Sequence, residues 1–389
     1  MLFTTLRQVT RTNQLNIACV AIISLGSYAI VPFLGVYTVQ QLGLSVIEAG
    51  YLVALRYFVQ RALSIFGGYI SDRYGERLPI LLGLSSRAIS FMLLAFADDI
   101  YTMVLFVLLN GIGSSLFLPA VTKLLYKDSC EAQRIASLKM AAINIGGAVG
   151  PVIGLLALTE YFQQFCYANA LVYLCLWGFY FKYCDKVKTN TKAFNWQEVL
   201  HFARSKNMAE VFLFKFLVCF MYANLEYALP LYFSEVFSPT YVTYLFIVNA
   251  LLVILFHDVF INYTKQYSAS LILVLFPLAY LGFYLMAYLS GLPVLLMFSL
   301  GVICFTLAEV SLFSRVEAMC ADSSGDYLGI ALGVVNIFGA LGFGAANMLS
   351  GVVLSSFEYS TFLLGACALF CTVNAVMLLC QRRKILCMD

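Results

Sequence analysis

The chain has 389 residues, of which 62% are hydrophobic and only 11% charged, and its net charge is +3. Soluble domains run near half apolar and a quarter charged, so this composition excludes an ordinary soluble fold and makes an integral membrane protein the default. So small a net charge says nothing about nucleic acid, and no nucleic-acid partner is expected. The 12 cysteines are scattered through apolar stretches without metal or disulfide spacing; they are expected to behave as small hydrophobes, with no cofactor or metal site. Arg7 and Arg11 precede a long apolar run with no small-residue cleavage site, which predicts an uncleaved first span.

A helix needs about 20 mostly apolar residues to cross a bilayer. By that measure the chain divides into twelve runs. They lie near 14–37, 46–70, 78–97, 100–124, 136–158 and 161–181, then 209–233, 241–262, 269–289, 292–314, 327–354 and 359–381. Unpaired backbone is too costly in lipid for anything but helices or closed barrels, and these runs lack the short alternation of barrel strands. The expectation is an all-α protein. A six-helix half covers 1–181, a polar linker 182–208, and a second six-helix half 209–389.

Charge placement agrees. If the N-terminus is cytoplasmic, 20 of the 23 basic residues fall on the cytoplasmic side, leaving Arg56, Arg61 and Arg87 within runs. The opposite loops carry only acids, such as Asp98, Asp99, Glu160 and Glu358. The positive-inside rule then puts both termini in the cytoplasm. The linker holds Lys182, Lys186, Lys188, Lys192, Arg204 and Lys206 and is expected to be a loop that obeys the positive-inside rule, with Trp196 offering the alternative of an amphipathic segment at the bilayer surface.

Charges inside a span are functional candidates by default. Arg56 stands about ten residues into the second run, roughly 15 Å deep at 1.5 Å per residue. Gln60 shares its face, whereas Arg61, five positions on, is expected on another face. The run ends in Gly67–Arg77, GGYISDRYGER, which reads as a short charged loop between antiparallel helices. Here the chain resembles the major facilitator superfamily, whose loop between spans 2 and 3 reads G-x-x-x-D-(R/K)-x-G-(R/K)-(R/K). Gly68, Asp72, Arg73, Gly75 and Arg77 match, and Glu76 stands where a basic residue is usual. The resemblance implies twelve spans in two halves that alternate access to a midplane site. It also implies that Asp72 meets the start of span 11, near Asp326–Gly329, in the inside-closed state.

Arg87 lies about as deep in the third run as Arg56 does in the second. In span 4, Asn110-Gly111-Ile112-Gly113 resembles the right half of the R-x-x-Q-G-x-G element of drug:proton antiporters, but Val107 stands where arginine belongs. Arg56 or Arg87 is the candidate to take its place. In span 5, Asn144–Leu155 reads NIGGAVGPVIGL, with small residues at helical spacing suited to close packing. Gly146, Gly150, Pro151 and Gly154 match the antiporters' G-x-x-x-G-P-x-x-G-G pattern, and Leu155 replaces its last glycine. In that family the helix packs against span 8, which leans the reading toward export. Pro151 is expected to bend the helix.

Two acids stand out in the second half, Glu226 and Glu309. Glu226 sits in an aromatic and polar cluster with Tyr222, Asn224 and Tyr227, and is the candidate proton site. Glu309, ahead of Arg315 and Glu317, is expected in a structural ion pair or an inner gate. Tyr28, Tyr222, Tyr227 and Tyr232 lie in spans that line the cavity in the family, and aromatic walls suit bulky, partly apolar ligands. No nucleophile constellation or ATP-binding loop is present, so no enzymatic activity is expected. The expected partners are a small-molecule substrate, protons and the lipid bilayer, with the protein a monomer in a bacterial cytoplasmic membrane. The reading is an exporter of a small amphipathic molecule by proton antiport. The alternatives are an exporter of an endogenous metabolite such as a siderophore, and an importer.

Overall fold

The computed structural model describes residues 9–127, 132–157, 161–184, 197, 204, 206–264, 266–286, 289, 291–324, 328–359, 361–369 and 371–372. Over these residues the chain is helical and contains no strand. The helices are α1 (Arg11–Ile30), α2 (Leu34–Gln40), α3 (Val46–Ala62), α4 (Ser64–Tyr74), α5 (Arg77–Leu94), α6 (Ile100–Lys127), α7 (Ala132–Ala157) and α8 (Phe162–Tyr183). After the linker come α9 (Lys206–Glu226), α10 (Ala228–Tyr232), α11 (Pro239–Thr264), α12 (Ala269–Ile272), α13 (Leu275–Met286), α14 (Leu292–Ser324) and α15 (Leu328–Ser356). A last helical stretch covers 361–369. Among the described residues, 8 helical stretches are long and apolar enough to cross a membrane. The linker segment around Trp196, the Asp72 side chain and residues 325–327 lie outside the described residues.

Several runs that read as single helices are broken, and proline accounts for most breaks. A proline has no N–H to give the carbonyl four residues earlier, and its ring crowds that carbonyl. Pro230 thus frees the Glu226 carbonyl, and α9 ends at Glu226 before α10 resumes. Pro277 cannot donate to the Leu273 carbonyl, between α12 and α13, which accepts from the Phe276 N–H at 3.2 Å instead. Pro32 sits in a single 3-10 turn between α1 and α2. Pro119 and Pro151 lie within helices that run on unbroken, so the chain is not interrupted at Pro151.

The Gly67–Arg77 stretch is not a loop. Ser64–Tyr74 is helical, and the turn shrinks to Gly75 and Glu76, with Gly75 at φ 80°. The break precedes the motif, at Leu63, where the Ser64 hydroxyl takes the Arg61 carbonyl at 2.6 Å. A four-residue helix extension satisfies the backbone that a longer loop would leave open.

The outer surface explains the composition. Leu82, Ile89, Leu171, Leu174, Leu255, Val259, Leu295 and Leu296 are all exposed. An apolar exterior on this scale is stable only against lipid. Inside, α1 packs on α7, α5 on α6 and α8, α9 on α15, and α13 on α14. Two seams join the helices before the linker to those after it, α3 on α15 and α7 on α11.

Candidate functional site

Between the seams lies a cavity of about 260 Å³, continued by one of about 150 Å³. Tyr28, Ile143, Tyr222, Glu309 and Phe313 line both. Its residues come from α1, α3, α5, α6, α7, α9, α11 and α14. Arg61, Met140, Phe313 and Ser314 carry it toward the side of the bundle that bears the Gly75 turn.

The opposite side, where Ser45 lies, is shut by close helix contact. A Cβ on Gly50 of α3 would come within 2.7 Å of the Asn347 carbonyl oxygen of α15 and 3.3 Å of the Gly351 Cα. The Tyr227 hydroxyl donates to the Val46 carbonyl, and Gln40 donates to Ser234 Oγ at 3.4 Å. A Cβ on Gly35 would meet the Tyr227 ring at 2.9 Å. The second seam is joined by a bond from the Thr243 hydroxyl to the Pro151 carbonyl at 3.3 Å.

Three arginines reach the cavity from helices before the linker. Arg56 is only 4% exposed; its Nε donates to Asn110 Oδ1 at 3.1 Å, and its guanidinium lies 4.9 Å from the Tyr57 ring centre. Asn110 in turn donates to Ser90 Oγ at 3.3 Å. Arg87, 2% exposed, donates to Ser114 Oγ at 2.9 Å, to the Tyr173 hydroxyl at 2.8 Å and to Ser27 Oγ. Arg61 stacks 4.3 Å over Phe343 of α15. Gly111 and Gly113 seat the two arginine-bearing helices on α6. A Cβ at Gly111 would meet the Arg56 carbonyl at 3.0 Å, and one at Gly113 the Arg87 Cγ at 2.5 Å.

Two carboxylates stand on the facing helices. Glu226, 4% exposed, ends α9 and lines the cavity beside Tyr57, and its Oε2 has no hydrogen-bond partner. Glu309 of α14 accepts from Asn249 Nδ2 at 2.9 Å, and the same amide donates to Thr306 Oγ1 at 3.0 Å. Among the described residues, no basic side chain lies within 4.0 Å of either carboxylate.

Several candidates thus converge and others do not. Arg56, Arg87, Gln60, Glu226, Glu309 and Tyr222 all line the cavity. Arg61 lines it too, against the expectation of another face, because its long stem reaches round to Phe343. Among the described residues Glu309 has no ion-pair partner; Arg315, its nearest sequence candidate, donates to the Thr264 carbonyl instead. Asn110 stands behind Arg56 rather than in the cavity. Tyr28 joins Tyr222 in the lining, but Tyr227 closes the Ser45 side and Tyr232 packs among Phe233, Phe237 and Tyr359.

The glycine stripe of α7 faces α1, not α11. A Cβ at Gly146 would strike Ser24, one at Gly150 Tyr28 and one at Gly154 the Ala29 carbonyl. The helix does pack on α11, but through Gly147 and the Pro151 carbonyl. At the Gly75 turn, buried Glu76 pairs with Lys123 at 3.4 Å, and Lys123 also donates to the Ser71 carbonyl at 3.2 Å. Arg77 donates to the Phe181 carbonyl and stacks on its ring at 4.7 Å, while exposed Arg73 donates to the Tyr69 hydroxyl at 2.7 Å. Sequence reasoning missed Tyr57, Ser27, Ser114, Tyr173 and Asn249. Each is an ordinary helix residue whose only signal is the charge it meets in space.

Residues 17–347 match the family model described as Major Facilitator Superfamily. The chain is similar to "Multidrug resistance protein MdtH" of Photorhabdus laumondii subsp. laumondii, 27% identical over 382 residues, which are 94% of this chain and 93% of that protein. The protein of the same name from Yersinia enterocolitica is 34% identical over 159 residues, 40% of each chain. Among solved structures, a POT family transporter in complex with 5-aminolevulinic acid superposes with a TM-score of 0.80 at 15% identity, covering 95% of this chain and 96% of that one. The nucleoside transporter NupG gives 0.68 at 14% identity, over 92% and 99% of the two chains. These last two likenesses bear on the fold alone.

Proposed function

The chain belongs to the Major Facilitator Superfamily, and on that premise we propose that it exports small amphipathic molecules in exchange for protons by alternating access. It is a multi-pass membrane protein. In this reading twelve spans form two six-helix halves, 1–181 and 209–389, joined by the linker 182–208. Both termini lie in the cytoplasm, and the protein works as a monomer in a bacterial cytoplasmic membrane.

The observation that carries the reading is two carboxylates and three arginines lining one cavity that is shut on the Ser45 side. A carboxylate with no basic side chain in contact changes the charge of such a cavity whenever it takes or gives up a proton, and intramembrane ionisable groups of this kind mark proton and substrate paths. Export rather than import is favoured by the α7 pattern and by the resemblance of the whole chain to proteins named for multidrug resistance. A second reading, a dedicated exporter of an anionic endogenous metabolite such as a siderophore, is favoured by the arginines, which a site for cationic drugs would not need.

The test is lumenal pH in inside-out vesicles acidified by respiration, with cationic dyes, antibiotics and an iron chelator added in turn. Alkalinisation by several unrelated amphipathic compounds, lost in Glu226→Gln, is the expected result. A response to the chelator alone selects the second reading. Silence to every compound, from protein shown to be folded and inserted, removes proton antiport of these cargoes.

A further inference from the structure

The charges of the cavity are sorted by wall. Arg56 and Arg61 come from α3 and Arg87 from α5, all before the linker, whereas Glu226 and Glu309 come from α9 and α14, after it. They do not neutralise one another by contact, since no nitrogen of these three arginines lies within 4.0 Å of either carboxylate. The arginines are held instead by neutral acceptors: Asn110 for Arg56, and Ser27, Ser114 and Tyr173 for Arg87. Those acceptors fix direction without cancelling charge. Polar atoms are left over on both walls, Arg56 Nη1 and Arg61 Nε on one and Glu226 Oε2 on the other.

A ligand carrying one charge meets one wall and leaves the charges of the other without a partner in contact, which is costly inside a membrane. A ligand carrying both charges answers both. Between the walls, Tyr28, Tyr222 and Phe313 supply apolar surface for its body. We propose that the substrate is a small amphipathic zwitterion, its anionic group on the Arg56–Arg61 wall and its protonated amine on the Glu226–Glu309 wall. This rests on the reading of the same cavity as a transport site.

The test uses three matched probes: 4-(piperidin-4-yl)benzoic acid, a zwitterion; its methyl ester, a cation; and its N-acetyl derivative, an anion. Their binding to the full chain in lipid nanodiscs is measured by titration calorimetry at neutral pH. The zwitterion is expected to bind at least tenfold tighter than either analogue. In the Arg56→Gln/Arg61→Gln variant the zwitterion and the anion should weaken at least tenfold while the cation changes less than twofold. In Glu226→Gln the zwitterion and the cation should weaken and the anion should not. Thermal melts of each variant separate lost charge from lost fold.

Equal or tighter binding of the methyl ester, equal weakening of all three probes in a folded variant, or no binding of any probe to folded wild-type protein overturns the proposal. The vesicle assay with the same probes and a cationic dye keeps the two readings apart. Proton movement with the dye alone overturns the zwitterion and leaves antiport standing. Preferential binding of the zwitterion without proton movement upholds the ligand class and removes antiport.

Discussion

Asn110 decides where Arg56 points. Its amide oxygen holds Arg56 Nε at 3.1 Å, and its nitrogen is tied to Ser90, so the guanidinium is fixed from behind by a residue that never meets the cavity. A buried charged donor that loses its acceptor costs about 1.5–3 kcal/mol. Asn110→Leu should therefore lower stability by about that much and reduce cargo-driven proton movement, whereas Asn110→Gln should retain more of both. Melting in detergent and vesicle pH read the two effects; full activity in a folded Asn110→Leu protein would show that Arg56 needs no such support. The same helix face explains Val107. Asn110 and Ser114 follow Val107 at helical spacing and receive Arg56 and Arg87 from neighbouring helices, so positive charge meets this face from outside α6. The sequence displayed the two arginines and the missing one, but not their convergence, because Ser27, Ser114 and Tyr173 carry no distinctive pattern. Neighbouring glycines separate as cleanly. A Cβ on Gly67 would run into the Ser115 backbone of α6, while one on Gly68 meets nothing within 4 Å. Gly67→Ala should destabilise by about 1–3 kcal/mol, the usual range for overpacking, and Gly68→Ala should be neutral or slightly stabilising in a thermal melt, although only Gly68 belongs to the family pattern.

Helix existence was legible from apolar length, since a bilayer permits no other backbone solution for long runs. Helix continuity was legible only in part. Pro230 stands four residues beyond the end of α9 and Pro277 five beyond the end of α12, a signal present in the letters, yet Pro119 and Pro151 interrupt nothing. What differs is the packing around each proline, and that is tertiary information. The Pro230 break has a consequence at Glu226. The carboxylate ends α9, and the next residue, Tyr227, leaves helical geometry at φ −133° and ψ −67°. Pro230→Ala restores the missing donor and favours one continuous helix, which would rotate Glu226 or Tyr227 out of place. It should weaken cargo-driven proton movement while leaving the melting temperature unchanged or raised; unchanged transport would show that the break does not position Glu226. The glycine stripe makes a different test of element packing. Because Gly150 lies against Tyr28 and Ala29 with a Cβ approach of 2.8 Å, Gly150→Leu should part α1 from α7 and deform the Tyr28 wall of the cavity.

At the scale of the whole molecule, the Ser45 side is shut by a seam that contains its own weakness. Asn347 of α15 is fully buried, and neither its side-chain oxygen nor its nitrogen has a hydrogen-bond partner. Its backbone carbonyl is the group that Gly50 approaches, so the amide sits where α3 and α15 are closest. An unsatisfied buried polar side chain costs about 1–3 kcal/mol, whereas an apolar group of similar shape there costs nothing of the kind. Separating α3 from α15 on this side would give the amide room for water. The shut state is thus held by close glycine packing and by the Tyr227–Val46 bond, and is opposed by one amide. Asn347→Leu removes the opposition. If alternating access opens this seam, the variant should bias the population toward the shut form by about 1–3 kcal/mol, roughly fivefold to more than a hundredfold. Gly50→Leu should do the reverse by forcing the helices apart. Both are read by reaction of a cysteine placed at Gln60, in the cavity, with a membrane-impermeant maleimide applied from the Ser45 side, in a background without the native cysteines. Labelling should fall in Asn347→Leu and rise in Gly50→Leu. Equal labelling of both would mean that the α3–α15 seam is a fixed hinge and that the cavity opens elsewhere.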